Sequence, residues 1–300
     1  YLHHLTKTGE PLGWQLLTRH NLRFYHDLMR TMRQHILADT FASYRDVQRP
    51  LLARGDDEHP SIMPAPRRRR RDDHALERFA IRVSEQGYAS VVERTSGEIM
   101  HGGLDPDAEA EALYVEQSRL AERLREPTSE PLVLWDVGLG AAHNAMAAIR
   151  CCEASGNLEQ RPVRLISFEC DVASLRLALR SATQFPHLQS AAPNHVLRFG
   201  EWRSARVPLL WTLLEGDFRS RLTEAPTPDC IFYDPFSAKT DTAMWTLECF
   251  ESLFAVSGDH DTELFTYSAS TAVRAALLVA GFVLARGVPT GKRAETTLAM

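Results

Sequence analysis

Hydrophobic and polar positions divide the chain into three stretches of different texture. Between about residues 19 and 48, Leu22, Tyr25, Leu28, Met29, Met32 and Ile36 return at the three- and four-residue spacing of one helical face. That spacing predicts a helix or helix pair packed on the main domain or on a partner. From Arg49 to Asp73 the periodicity disappears. Pro50, Gly55, Pro60, Pro64 and Pro66 punctuate a charged stretch that ends in Arg67 to Arg71. Such a stretch carries too little apolar surface to offset the entropy of ordering. Residues 1–73 therefore read as a helical extension followed by a Pro/Arg-rich linker.

The third texture runs from His74 to the end. Tyr88 to Glu93 alternates as a strand does, and Asp105 to Arg125 carries Leu113, Val115, Leu120 and Leu124 among charges as a helix does. From Pro131 onward strands and helices alternate. The predicted strands are Leu132–Val137, Val163–Glu169, Leu209–Glu215, Cys230–Asp234, Glu263–Tyr267, Phe282–Arg286 and Glu295–Ala299. The helices between them are Ala141–Ala154, Val172–Gln184, Ala243–Phe254 and Ser270–Ala280. This succession implies one α/β domain over residues 74–300. Its core is a mostly parallel seven-stranded sheet with helices on both faces and right-handed crossovers.

Sheets of this kind bind ligands at the carboxyl ends of their strands. The strand Leu132–Val137 runs into Gly138-Leu139-Gly140, which lets the backbone turn tightly and approach a cofactor. A dinucleotide fingerprint wants a third glycine where Ala142 stands, and a plain strand-to-helix turn accounts for the two glycines equally well. Asp136, two residues before the first glycine, suits a ligand ammonium and would repel a pyrophosphate. Glu169 closes the second strand, where an acid can accept from ribose hydroxyls. Past the third, Asp217 can accept from an adenine amino group with Phe218 against the ring. Singly, each acid is more often a helix cap or a solvated end. Together, amine, ribose and adenine partners describe S-adenosylmethionine better than NAD. The fourth strand ends Asp234-Pro235-Phe236-Ser237. There Asp234 and the Pro235 carbonyl can accept from a substrate amine and aim its lone pair at a methyl group.

Composition narrows the choice. The chain of 300 residues is 44% hydrophobic and 24% charged, as a globular protein is. No stretch is long and apolar enough to span a membrane and no secretion signal opens the chain, so a cytoplasmic protein is expected. Five cysteines without a C-x-x-C pair read as reduced thiols. Twelve histidines without metal-ligand spacing predict no metal. The formal net charge of −5 weighs against nucleic acid, while Arg67–Arg71 and Lys292-Arg293 are basic groups able to meet phosphate. The chain begins at Tyr1, as a fragment or a processed form would. Oligomeric state is not legible.

Longer segments resemble a known family. Asp234-Pro235-Phe236-Ser237-Ala238-Lys239 followed by Met244-Trp245 resembles the D-P/A-F-S-P-K-x-N-P-x-M-W segment of MnmC/MnmD-like methyltransferases. Gly138-Leu139-Gly140 with Asn144 is similar to that family's G-F-G-x-G-x-N turn. Leu213 to Asp217 resembles its adenine-side strand end, Thr266 to Arg274 its T-Y-S-A-A-x-x-V-R stretch, and Gly281-Phe282 with Gly291-Lys292-Arg293 its closing A-G-F…G-x-K-R. Departures fall at Ala238 and at Asp241-Thr242. The resemblance implies a class I, Rossmann-like methyltransferase of the stand-alone type. Such an enzyme uses S-adenosylmethionine to N-methylate the 5-aminomethyl group of a tRNA wobble uridine. It implies that Gly138, Gly140, Glu169 and Asp217 contact the donor and that Asp234 faces the amine; the strand-end chemistry above adds Asp136 and Phe218 on the donor side and Pro235 beside the amine. Phe236, Lys292, Arg293 and the loop residue His101 would lie on the substrate side. A methyltransferase for a small amine or a protein, a non-catalytic module of the same fold and an NAD-dependent oxidoreductase are the alternatives. Ala142 and Asp136 disfavour the oxidoreductase.

Overall fold

The computed structural model describes residues 11–52, 77–101, 105–154, 159–290 and 294–300, in two compact units, Tyr1–Arg68 and Arg69–Met300. In the first unit, α1 (Pro11–Leu37) and α2 (Phe41–Leu52) form a helix pair. The turn between them uses Asp39 at φ 54°, a left-handed conformation that a short polar side chain tolerates. Thr40 N donates to His35 O at 2.9 Å, and the His35 ring stacks on Tyr44 with centroids 4.3 Å apart. The helical spacing between residues 19 and 48 thus belongs to a pair longer than the pattern showed.

The second unit begins with an antiparallel hairpin, β1 (Phe79–Val83) and β2 (Ala89–Glu93). The single helix expected over residues 105–125 is three pieces: α3 (Pro106–Ala110), a π-helical segment (Glu111–Glu116) and α4 (Leu120–Arg123). Asp105 caps α3 by accepting from the amides of Asp107 and Ala108. The wider π turn lets three consecutive residues, Leu113, Tyr114 and Val115, all be buried. Arg119, at φ 53°, ends that segment in a left-handed residue before α4. A helical period cannot reveal such a phase change.

The main sheet follows: β3 (Leu132–Val137), α5 (His143–Ala154), β4 (Val163–Glu169), α6 (Ala173–Arg180), α7 (Ala191–Phe199), β5 (Glu201–Arg203) and β6 (Leu209–Glu215). Then come α8 (Phe218–Arg221), β7 (Cys230–Tyr233), α9 (Leu247–Ser257), β8 (Glu263–Thr266), α10 (Thr271–Ala280), β9 (Leu284–Gly287) and β10 (Thr296–Ala299). The strand order is β5-β6-β4-β3-β7-β8-β10-β9, eight strands where seven were expected. The extra one, β5, has three residues and is too short to show a period. It pairs antiparallel with β6, and β10 is antiparallel to both β8 and β9. The four central pairings are parallel.

Every residue of β3 is buried, as befits a central parallel strand covered on both faces. Its side chains alternate between two cores. Leu132 and Leu134 join Leu165, Trp211, Phe232 and α5 on one face. Val133, Trp135 and Val137 join Phe168, Tyr233 and the apolar sides of α9 and α10 on the other. Truncating a side chain as enclosed as Trp135 would cost about 3–5 kcal/mol. Arg274 of α10 ties the sheet edge, donating to Thr297 Oγ1, Thr296 O and the Glu295 carboxylate. Among the described residues no helix is long and apolar enough to cross a membrane.

From β3 the chain moves outward through β4 to β6, then returns to place β7 on the other side of β3. The order reverses there, and the crevice between the carboxyl ends of β3 and β7 is where such sheets hold ligands.

Candidate active site

The turn after β3 is shaped by three left-handed residues: Gly138 (φ 91°), Gly140 (φ 54°) and Ala142 (φ 64°). The third is the position where a fingerprint glycine was wanted. Alanine occupies it in a glycine conformation, at a strain of roughly 1–2 kcal/mol. Gly138 is required for a different reason. A Cβ there would lie 2.7 Å from the Asp234 carbonyl oxygen and 2.9 Å from Pro235 Cα. The turns after β3 and β7 therefore touch backbone to backbone.

Asp136 is wholly buried. One carboxylate oxygen accepts from Ser167 Oγ at 2.7 Å, and Ser167 accepts in turn from Trp211 Nε1 at 2.9 Å. The other, Oδ1, has no hydrogen-bond partner. Burial pushes the Asp136 pKa up to about 7, against the Ser167 hydrogen bond and with help from the nearby Asp234 and Glu169 charges. A buried acid with an unused oxygen is costly until a partner fills it. Glu169 accepts from Gly140 N at 3.0 Å and Asp171 N at 2.9 Å, so it clasps the glycine turn. Burial still holds its pKa above the ordinary range.

Asp217 is used differently. It caps α8 by accepting from Arg219 N and pairs with the Arg219 guanidinium at 2.6 Å, which lowers its pKa. Phe218 is buried edge-on against Trp135 and Phe168, part of the core.

The Asp234 turn is braced on every side. Asn144 Nδ2 donates to Asp234 Oδ2 at 2.8 Å, leaving Asn144 Oδ1 buried without a partner. Burial raises the Asp234 pKa, opposed by the nearby His101 and by the Asn144 hydrogen bond. The Tyr114 hydroxyl, close enough to Asp234 to feel its charge, is buried without an aligned hydrogen bond. Tyr267 donates to the Pro235 carbonyl at 3.1 Å, and Trp245 Nε1 donates to the Phe236 carbonyl at 2.7 Å. The Phe236 ring stacks on Phe79 with an interplanar angle of 9°. Glu98 grips Ser237 twice, through N at 2.8 Å and Oγ at 2.9 Å. His101 sits at φ 57° with Nδ1 3.2 Å from Glu109. Although burial disfavours its charge, Glu109 and Asp234 raise its pKa.

The structure thus gathers Asp136, Gly138, Gly140, Glu169, Asp234, Pro235, Phe236 and His101 about one crevice. Lys292, Arg293 and Arg67–Arg71 lie outside the described residues. Asp241 stands near Asp217 and Arg219, and burial raises its pKa. Tyr114, Glu98 and Tyr267 bear on the site without having been singled out from sequence. Tyr267 lay within a family-like stretch, whereas Tyr114 depends on the π turn and Glu98 on a contact 139 residues away. For Asn144 the family-like turn was the signal.

Residues 187–300 match a protein-family model described as S-adenosyl-L-methionine-dependent methyltransferase, and residues 1–49 match one described as queuine tRNA-ribosyltransferase. The second match changes the reading of the N-terminal helices, which the sequence pattern treated as an unassigned extension. Over 45 residues the chain is 53% identical to the queuine tRNA-ribosyltransferase of Sphingopyxis alaskensis, covering 15% of this chain and 12% of that protein. Over 44 residues it is 57% identical to the Marinobacter nauticus enzyme of the same name, covering 15% of this chain and 12% of that one. The chain therefore spans about an eighth of the length of these relatives. Among solved structures, MNMC2 from Aquifex aeolicus superposes with a TM-score of 0.57 at 21% identity, covering 89% of this chain and 83% of that one. The unfilled oxygen of Asp136 and the crowded glycine turn fit the cationic donor that this family uses. Residues 187–300 carry the signature of S-adenosylmethionine-dependent methyltransferases, and the fold of Arg69–Met300 is similar to that of MNMC2, so this unit is MnmC-like in motif and fold.

Proposed function

We propose that the methyltransferase unit N-methylates a primary amine, the 5-aminomethyl group of a tRNA wobble uridine. The observation that carries this reading is Asp234, a buried carboxylate fixed by Asn144 at the switch point beside the glycine turn. The bound donor supplies a methyl group already activated on a sulfonium, so positioning is most of what the protein must add. Asp136 Oδ1, the Gly138–Gly140 turn and Glu169 would hold the donor, and Asp217 would take the adenine edge by giving up part of its pairing with Arg219. An alkylamine arrives mostly protonated at neutral pH and must shed a proton to expose its lone pair. Asp234, with its pKa raised by burial, is better placed to take that proton than an ordinary aspartate. Its other role is to accept an amine N–H and fix the nitrogen's direction. The Pro235 carbonyl, oriented by Tyr267, offers a second acceptor.

The Asp234–Lys239 motif and the tRNA-directed name of the proteins matching residues 1–49 support tRNA as the acceptor. Mass spectrometry of tRNA nucleosides after incubation with labelled donor tests the assignment: label is expected in the wobble nucleoside. A second reading, a small-amine acceptor, is favoured by the acids around the crevice, Asp241 among them. Under that reading tRNA stays unlabelled, a free amine is methylated, and tRNA binding lacks the steep salt dependence of phosphate contacts.

A further inference from the structure

Apart from the crevice at Asp234, the unit holds a cleft of about 590 Å³ into which Asp107, His143 and His187 all face, together with Asp105, Tyr88 and Gln184. The ligand-capable atoms of Asp107, His143 and His187 lie within 4.8 Å of one another. The cluster draws on α3, the first turn of α5, and the 3-10 turn Pro186–Gln189. We propose that it is a binding site for one divalent first-row transition-metal ion. Asp107 Oδ1 and the Nδ1 atoms of His143 and His187 would be the ligands, with at least one coordination position open to the cleft.

Geometry and donor chemistry carry the inference. Tetrahedral coordination with bonds of 2.0–2.1 Å separates neighbouring ligand atoms by roughly 3.3 Å. His143 Nδ1 is 3.3 Å and His187 Nδ1 3.9 Å from Asp107 Oδ1, so each imidazole is nearly at that spacing from the carboxylate, and the three ligand atoms stay within 4.8 Å. His187 Nε2 lies 2.8 Å from the Ala141 carbonyl and must carry the proton there. The lone pair is thereby fixed on Nδ1, which is buried without a hydrogen-bond partner. A backbone carbonyl holding the far nitrogen of an imidazole is the usual support of a metal-ligating histidine. His143, 4% exposed, has its ring centroid 3.8 Å from that of His187, the planes tilted by 34°. Both imidazoles are buried, and each has its Nδ1 turned toward Asp107 Oδ1.

Two adjustments are required. Arg150 Nη2, 3.3 Å from Asp107 Oδ1, must swing away, which its partly exposed side chain permits. His143 must trade its hydrogen bond to Asp107 for the ion, its proton passing to Nε2. Two imidazoles and one carboxylate suit zinc, iron(II) or cobalt(II) better than calcium or magnesium. The sequence held no sign of this site because its ligands come from three separated segments. An ion there would cross-link the start of α5, and so the glycine turn, to α3 and to the 186–189 turn, whatever the methyl acceptor is.

Titration of the metal-stripped full chain with Zn2+ against a chromophoric chelator should find one site per chain. Co2+ should give the intense visible band of a four-coordinate ion. Asp107→Asn and His187→Gln should each weaken Zn2+ at least tenfold, whereas His195→Gln, bonded elsewhere to Glu201, should leave affinity unchanged. Equal affinity in wild type and both ligand variants, or no stoichiometric Zn2+ binding by the wild type, overturns the proposal. Should a variant fail to fold, a wild-type crystal grown with Zn2+ decides through anomalous scattering. A peak bonded to Asp107, His143 and His187 supports the site, and peaks confined to other residues overturn it.

Discussion

Asp136 at the end of β3 and Asp217 just past β6 are the same residue type at similar places in one sheet, and the fold treats them in opposite ways. Asp136 is sealed between two cores, keeps one oxygen without a partner, and has its pKa pushed up to about 7. Asp217 is half exposed, caps a helix and is neutralised by Arg219, so its pKa falls. The difference comes from the surroundings. Polar groups left unfilled in a dry crevice are destabilising until a ligand fills them, whereas polar groups satisfied by the protein stabilise it with or without a ligand. The β3–β7 side is arranged for something yet to arrive, and the β6 side is already complete.

Four measurements break or sharpen this contrast. The largest effect is expected from Gly138→Ala, because the added Cβ meets Asp234 and Pro235 backbone rather than a yielding side chain. Donor binding should fall at least 100-fold by calorimetry, and thermal stability should drop by about 2 kcal/mol or more. Binding within threefold of wild type would show that the two turns move apart easily. Next, Asp234→Ala should reduce methyl transfer about 10²–10⁴-fold and leave donor affinity nearly intact. A fully active variant removes Asp234 from amine handling.

Third is the pH dependence of Asp136. Its folded pKa, about 7, lies above the ordinary 3.8. The contribution of this group to stability is therefore present at low pH and is lost as pH rises from the ordinary carboxylate range through about 7. A cationic donor prefers the carboxylate, so donor affinity should rise with pH across that window as binding expels a proton. Asp136→Asn should flatten that rise and weaken binding about tenfold above pH 7, leaving only what Glu169 and Asp234 contribute. An unchanged pH profile would place the donor's charge elsewhere. The smallest effect belongs to Asp217→Asn. Asparagine still caps a helix, so stability should change by less than about 1 kcal/mol, while donor affinity falls a few-fold. No change in affinity would leave Asp217 with its structural role alone.

Much of this was readable from the order of residues. The strands β3, β4 and β6 fall at their expected limits because they are largely apolar runs that stop at Gly138, Glu169 and Glu215. Asp136, Glu169 and Asp234 stand out in sequence because strand ends are where such a fold exposes chemistry, and the structure brings these three acids near one another. In sequence Phe218, an aromatic beside an acid, reads as a stacking platform; the structure buries it through T-shaped contacts with Trp135 and Phe168, which come from two other strands and are not visible in the local pattern. β5 was missed because three residues show no period. Glu98 and the Asp107–His143–His187 cluster were out of reach, since they depend on segments brought together only by the finished fold.

The π-helical segment Glu111–Glu116 carries one further consequence. It works as a phase shifter. An α-helix advances about 100° per residue, so removing the one residue that widens this turn would rotate everything upstream of it by that angle relative to Tyr114 and its contact with Phe232. The wall of the crevice at Asp234 is thus encoded partly as residue count. Substitutions along the outer face of this helix should be tolerated widely, while loss of a single codon from it, with every other side chain intact, would bring Tyr114 and Asp107 out of register with each other. Few inherited changes so small would disturb two separate pockets at once.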